Sequence, residues 1–216
     1  MIFFDWRRKY FYYKKRSKNE SLRKMALKIG DIETNFGVRS FDAKISRQEY
    51  EELPKTPLYF VLDNLRSAFN TGAFFRLGDI LRVSGIYLCG YTAFPPHIKL
   101  EKTSLGTTDF VPWKHFEKTE DAISDLKQKG ISVWAAETAE QAERYDKMSV
   151  EKPLALLFGN EASGVSQEIL ALCDGIVEIP TFGFKNSMNV ATAGAVLGFE
   201  IAKKLEIFDK FRSLNK

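Results

Sequence analysis

The 216-residue chain holds only two cysteines and two histidines. Cys89 and Cys173 lie far apart and in no metal-ligand spacing. That argues against a disulfide framework or a zinc site and fits buried thiols in a reducing compartment, so a cytoplasmic location is expected. With His97 and His115 as the whole supply, histidine-based catalysis has few candidates. There is no run of about 18 apolar residues, so no membrane span is expected. The opening Met-Ile-Phe-Phe-Asp-Trp-Arg-Arg is not a signal peptide: its apolar run is too short, and charge follows it instead of preceding it. No G-x-G-x-x-G follows any strand-like run, which leaves ordinary dinucleotide binding without support. Internal repeats and low-complexity tracts are also missing.

What is present is an ordinary globular composition, 44% hydrophobic, in a length that suits one domain with an extension or two small ones. Charge is placed unevenly. Residues 1–30 hold ten basic and two acidic residues, net +8, so with a chain total of +4 the remaining 186 carry −4. In the same segment the cations interleave with Phe3, Phe4, Trp6, Tyr10, Phe11, Tyr12 and Tyr13. Cations hold phosphates and aromatic faces stack on unpaired bases, so this segment is expected to contact nucleic acid. The plainer alternative is a solvated basic arm whose rings pack on the main domain. Leu22, Met25, Ala26 and Ile29 have helical spacing, with Gly30 as the stop. Ser46-Arg-Gln-Glu49 fits a capping box opening a short helix, and Pro54 and Pro57 mark a boundary.

Beyond that boundary strands and helices alternate. Leu58–Leu62 and Leu154–Phe158 are continuous apolar runs, as for strands covered on both faces. Ile86–Gly90, Ile131–Ala136 and Val177–Ile179 read as further strands. Helices are expected over Thr71–Arg82 with Asn70 as N-cap, Thr119–Lys129 ended by Gly130, Ala139–Lys147, Gln167–Leu172, and from Asn189 to about Lys204. Tyr91–Lys114 is expected to be irregular. This pattern predicts an α/β fold with a mostly parallel sheet flanked by helices, and ligands beyond the carboxyl ends of its strands. Three polar loops fall there: 63–70, 159–166 and 180–188.

The last of these organises the chain. The helix after it is crowded with small residues (Ala191, Ala193, Gly194, Ala195, Gly198), although each interior glycine costs about 1 kcal/mol against alanine. Something is expected to approach it closely. Ser187 and Asn189 stand where loop becomes helix, serving either as caps or as polar groups of a ligand site at the free N–H groups. The loop from Gly159 to Ser166 has the glycine spacing of a phosphate-binding P-loop, but Val165 replaces the lysine and Glu161 puts an anion inside the cradle. A nucleotidase is therefore disfavoured.

Taken together, three stretches resemble the SpoU/TrmH family of RNA ribose methyltransferases, in the SPOUT superfamily. They are Asp63-Asn-Leu-Arg-Ser-Ala-Phe-Asn-Thr-Gly-Ala-Phe-Phe-Arg76, Leu154-Ala-Leu-Leu-Phe-Gly-Asn-Glu-Ala-Ser-Gly-Val-Ser166, and Ile179-Pro180 through Ser187-Met-Asn-Val190. Lys102–Gly106 and Val111-Pro112 are similar to the family's central passage. The resemblance covers roughly residues 58–205, in the right order, and leaves out residues 1–50. The organisation it suggests is a basic, aromatic-rich extension over 1–56 for RNA contact, a SPOUT methyltransferase domain over 57–207, and a tail over 208–216.

The resemblance implies a C-terminal trefoil knot, an exception to the rule against knotted chains. It also implies a homodimer with the C-terminal helix at the interface, which would account for that helix's small residues. S-adenosylmethionine would be the cofactor, held largely by backbone at Ala136, Gly159, Ile179, Ser187 and Met188, with no metal. The substrate would be RNA, either tRNA or rRNA, and the product a 2′-O-methylribose. The matching catalytic positions are Asn70, Arg76, Glu161, Ser187 and Asn189. Arg76 is the family's proposed activator of the ribose hydroxyl. A guanidinium gives up its proton too reluctantly to be a ready base, so holding the adjacent phosphate or stabilising a developing alkoxide are equal alternatives. Glu161 would pair with Arg76 or orient Asn189. The competing reading is an RNA-binding protein that keeps the knotted fold without turnover, and the presence of all five polar positions stands against it.

Overall fold

In a computed structural model of the chain, residues 46–150 and 153–212 are described. The basic segment and its expected helix near Leu22 lie outside them. The sheet has seven strands: β1 (Thr56–Asp63), β2 (Val83–Cys89), β3 (Trp113–Phe116), β4 (Ser132–Ala136), β5 (Glu143–Arg144), β6 (Leu154–Phe158) and β7 (Gly175–Glu178). Their spatial order is β3-β2-β1-β6-β4-β7-β5, and every pairing is parallel. The α/β class expected from the alternation of elements is the observed one.

Both faces of the sheet are covered, and the central strands show why they read as unbroken apolar runs. Leu58, Phe60 and Leu62 of β1, with Leu154, Leu156 and Phe158 of β6, face one core. Val61, Ala155 and Leu157 face the other. Side chains alternate along a strand, so burial on both sides requires apolar residues at every position. The first core is closed by helices α2 (Ala68–Leu81) and α6 (Val190–Lys204), the second by α4 (Thr119–Gln128) and the one-turn helix α5 (Gln167–Leu170). Helix α1 (Arg47–Glu52) opens with the expected capping box: Ser46 Oγ accepts from Glu49 N–H, and the Glu49 carboxylate accepts from Ser46 N–H.

Several expectations fail for identifiable reasons. Asn70 does not cap α2. The helix begins one turn earlier, and Ser67 Oγ accepts from Asn70 N–H at 3.3 Å, leaving the Asn70 amide free for other partners. The passage 91–114 is not irregular throughout. It holds helix α3 (Ile98–Ser104), a 3-10 turn at Thr107–Asp109, and the start of β3. His97 caps α3 through a ring nitrogen, and Leu100 is buried beneath it. Residues 139–147 form no helix. Nine residues with helix-favouring composition are too few to hold one alone. Pairing wins instead: β5 extends the sheet beside β7, Tyr145 N–H donates to Glu178 C=O at 3.0 Å, and Met148 is buried.

Helix α6 shows what approaches it. A Cβ at Gly194 would fall against the ring of Phe74, with Cζ at 2.7 Å, and one at Gly198 against Leu81 Cδ1 at 2.8 Å and Phe60 Cζ at 3.3 Å. The glycines let α6 sit down on α2 within the same chain, so a partner subunit is not needed to explain them.

Candidate active site

The carboxyl ends of β1, β4, β6 and β7 release four loops on one edge of the sheet, where ligands of parallel sheets gather. Three of these loops enclose a cleft of about 730 Å³, within the size range of small-molecule sites. Ala136 and Glu137 come from β4, Gly159–Val165 from the loop after β6, and Ile179, Thr181, Asn186, Ser187 and Met188 from the loop after β7. All five positions expected for the cofactor, Ala136, Gly159, Ile179, Ser187 and Met188, line this one cleft.

The loop after β6 is a tight device for holding one carboxylate. Asn160 N–H donates to Gly164 C=O at 3.2 Å, and Gly164 N–H to Asn160 C=O at 2.9 Å. Gly164 has φ +68, a conformation open to glycine at little cost. Asn160 Oδ1 accepts from Ala162 N–H and Ser163 N–H, and Asn160 Nδ2 donates to Asn64 C=O at 2.7 Å, which ties this loop to the one after β1. A Cβ at Gly159 would meet the Gly164 backbone at 2.5 Å, so the turn closes only over glycine.

Glu161 stands on that turn and reaches across to the loop after β1. Its carboxylate accepts from Arg66 N–H at 2.7 Å, Ser67 N–H at 3.2 Å and Asn70 Nδ2 at 2.8 Å. Burial raises its pKa, but the hydrogen bonds from Arg66, Asn70 and Ser67 outweigh burial and hold it below the usual glutamate value. The Asn70 amide is shared. Its Oδ1 accepts from Asn189 Nδ2 at 3.1 Å. Asn189 in turn caps α6, with Oδ1 accepting from Ala191 N–H at 3.0 Å and Thr192 N–H at 3.2 Å. The cap and the polar cluster are thus the same residue, because its two amide atoms face different ways.

Three of the expected catalytic residues, Glu161, Asn70 and Asn189, form one hydrogen-bonded chain that links the loop after β6, the first turn of α2 and the N-cap of α6. Ser187 lies on the cleft wall nearby in sequence but joins no hydrogen bond among the described residues. Arg76 is half-buried on α2 and forms no ion pair with Glu161. Six residues separate it from Asn70, about 9 Å along the helix and a third of a turn round it, so the two face different directions. Of the two expected roles for Glu161, pairing with Arg76 is not observed. Orientation of Asn189 is, through Asn70.

Glu137 was not anticipated. Its carboxylate accepts from Thr138 N–H at 2.9 Å and Val165 N–H at 3.0 Å, joining two walls of the cleft. A lone acid after a strand carries no signal in sequence. The third wall, formed by Thr181 and by Asn186 to Met188, is open backbone: among the described residues none of their main-chain N–H or C=O groups has a hydrogen-bond partner. Unpaired amide groups beside a cleft suit a flat polar ligand gripped by main chain, which is the fit expected for S-adenosylmethionine. Neither histidine reaches this cleft: His97 caps α3, and His115 sits in β3 with Nε2 3.0 Å from Gly90 C=O.

Comparison with known proteins agrees with this geometry. The profile of the SpoU rRNA Methylase family matches residues 57–199. The tRNA (guanosine(18)-2′-O)-methyltransferase of Thermus thermophilus is 33% identical over 158 residues, spanning 72% of this chain and 80% of that one. Among solved structures, the AdoMet-bound rRNA methyltransferase from Sinorhizobium meliloti is similar with a TM-score of 0.65 and 26% identity, over 87% of this chain and 70% of that one. The A. aeolicus TrmH/SpoU tRNA modifying enzyme shares the fold with a TM-score of 0.67 at 24% identity, over 76% of this chain and 82% of its own. With a parallel sheet, a cleft at its carboxyl edge and a family match across most of its length, the chain belongs to the SpoU rRNA methylase family.

Proposed function

We propose that this chain is an S-adenosylmethionine-dependent methyltransferase acting on a ribose 2′-hydroxyl of tRNA or rRNA. The observation that carries the reading is the Glu161–Asn70–Asn189 chain of hydrogen bonds beside a cleft with an unpaired main-chain wall. When bound, the cofactor supplies a methyl group already activated as a sulfonium. What remains for the protein is to place the ribose oxygen in line and ease loss of its proton. With the cofactor bound there, the ribose oxygen would receive its methyl group and the 2′ proton would pass to solvent, so the residues of the chain have to hold the oxygen in line and ease that loss.

In this reading Ala136, Gly159, Ile179, Ser187 and Met188 hold the cofactor. Glu161 fixes the loop that starts α2, so that Asn70 and Asn189 keep one geometry. Arg76, with no hydrogen bond or ion pair among the described residues, is available to the phosphate beside the target ribose or to the developing oxyanion. Ser187 offers its hydroxyl to the cleft.

We further propose a homodimer that uses the C-terminal helices. Support comes from Phe199 of α6 and Phe208 of α7 (Ile207–Arg212), whose rings lie 6.1 Å apart and remain 43% and 46% exposed. The trefoil knot belongs to the same proposal. The chain from β7 passes beside the 159–166 loop and returns α6 onto α2, a path compatible with threading. The basic residues of the first thirty are proposed to hold RNA phosphates.

Substitution tests the site. Arg76→Ala is expected to abolish methyl transfer to unmethylated RNA while cofactor affinity and the unfolding midpoint stay at wild-type values. Transfer at the wild-type rate would remove Arg76 from the catalytic set.

A further inference from the structure

The loop after β7 carries two aromatic rings that stand almost wholly in solvent. Phe182 is 95% exposed and Phe184 99%, the most exposed large apolar side chains among the described residues. A phenylalanine left in water gives up the whole benefit of burial, so two of them in three residues do not serve the fold of this chain. Between them Gly183 has open space around it: apart from its two chain neighbours, nothing lies within 4 Å of where a Cβ would stand. Lys185 follows, its Nζ 5.8 Å from the centroid of the Phe184 ring. The segment Thr181–Met188 contains no acidic residue. Its two ends are anchored in the cleft, since Thr181 on one side and Asn186, Ser187 and Met188 on the other line its wall.

We propose that Phe182, Phe184 and Lys185 form a stacking platform for an unpaired base of the RNA substrate, next to the nucleotide being methylated. The proposal rests on the reading of the cleft as an RNA methyltransferase site. RNA recognition by proteins favours unpaired loops whose bases are splayed out, and a nucleotide drawn into a cleft to present its 2′-oxygen leaves its neighbour without a stacking face. Exposed aromatic rings replace that face without regard to base identity. The lysine beside them meets the phosphate of the same nucleotide, and no carboxylate in the loop repels it. The arrangement of rings, cation and missing acids matches single-stranded RNA more closely than an apolar protein surface.

The test uses the full-length protein and two labelled probes, a pool of unmodified tRNA transcripts and a pool of unmethylated rRNA fragments, read by fluorescence anisotropy. The double variant Phe182→Ala/Phe184→Ala is expected to bind the preferred pool at least about tenfold more weakly, with its salt dependence retained. Lys185→Ala is expected to lower the slope of log affinity against log salt by about one. Phe184→Trp should keep affinity, and its added indole emission should be quenched by RNA relative to wild type. Cofactor affinity should be unchanged in all three. Unaltered RNA affinity in the double variant would overturn the proposal. So would a change in oligomeric state by sedimentation on removing the rings, which would assign them to a contact between subunits. A wild-type protein that neither binds RNA nor transfers methyl would instead sink the functional reading beneath it.

Discussion

Gly194→Ala sets two known magnitudes against each other inside the α2–α6 contact. Alanine favours an exposed helix interior over glycine by about 1 kcal/mol. Here the added methyl meets Phe74, whose Cζ would lie 2.7 Å away, about 0.8 Å inside ordinary carbon–carbon contact. The ring has nowhere to retreat. Phe74 is fully buried, 4.9 Å centroid to centroid from Phe158 and 5.4 Å from Phe60. Overpacking of this kind costs about 1–3 kcal/mol. The clash should win, leaving the variant about 1–2 kcal/mol less stable, a fall in Tm of roughly 2–8 °C. Gly198→Ala is the internal control. Its nearest neighbour is the mobile Cδ1 of Leu81, so clash and propensity should nearly cancel. Thermal unfolding of both variants measures the difference. Gly194→Ala should also lose activity beyond its loss of stability, because α6 carries Asn189 at its first turn and the 3.1 Å bond to Asn70 depends on how the helix sits. A Gly194→Ala protein as stable as wild type would refute the intrachain packing argument and return the glycine to a contact between subunits.

Glu161→Gln should cost about 1–2 kcal/mol in urea unfolding, since one amide oxygen cannot accept from Arg66, Ser67 and Asn70 together, and it should lower kcat more than KM. A wild-type kcat would show that the carboxylate serves the fold alone. Asp125 accepts from Lys129 and Tyr87, which brings its pKa to about 2. A depressed carboxyl pKa stabilises the fold above the unfolded value of about 3.9, and that stability is lost as pH falls toward about 2. Asp125→Asn should therefore weaken the fold at pH 7 by about 1 kcal/mol at most, the pair being partly exposed, with the difference from wild type shrinking below pH 4. A difference that persists at pH 2 would contradict this. Burial pushes the Cys89 thiol up to about 12 and Cys173 up to about 11. Both should react with a disulfide reagent at pH 8 far more slowly than in denaturant, and rapid native labelling of Cys89 would show that β2 opens.

The parts of this fold legible in the sequence are those where one local rule decided the outcome. β1 and β6 announced themselves because residues on both faces must be apolar. Asn189, a short polar side chain before a helical run, allows two readings, cap or ligand-site group, and its Oδ1 takes the first. Local rules failed where a distant partner decided. Ser67 and Asn70 are both competent caps, and Asn70 is withdrawn from that duty by Glu161, 91 residues later. Residues 139–147 have the composition of a helix and lose it to the edge of β7. Helix α3 is only seven residues long and is capped by a histidine, an unusual choice that left no signal. The site itself joins residues up to 119 apart in sequence, a separation no periodicity spans. Resemblance to a family brought those positions together, and the hydrogen bonds give the physical reason they belong together. The same resemblance did not single out Glu137 or Phe182, whose roles rest on where the loops end up.

The most direct test is to incubate the purified protein with methyl-labelled S-adenosylmethionine and, separately, tRNA and rRNA pools that lack their methyl marks, then digest and identify the labelled nucleoside. The account predicts a 2′-O-methylnucleoside from one of the two pools, naming reaction and substrate class at once. Label on a base would contradict it by moving the chemistry off the ribose, and no transfer to either pool by a protein that binds both cofactor and RNA would contradict it in favour of an RNA-binding protein without turnover.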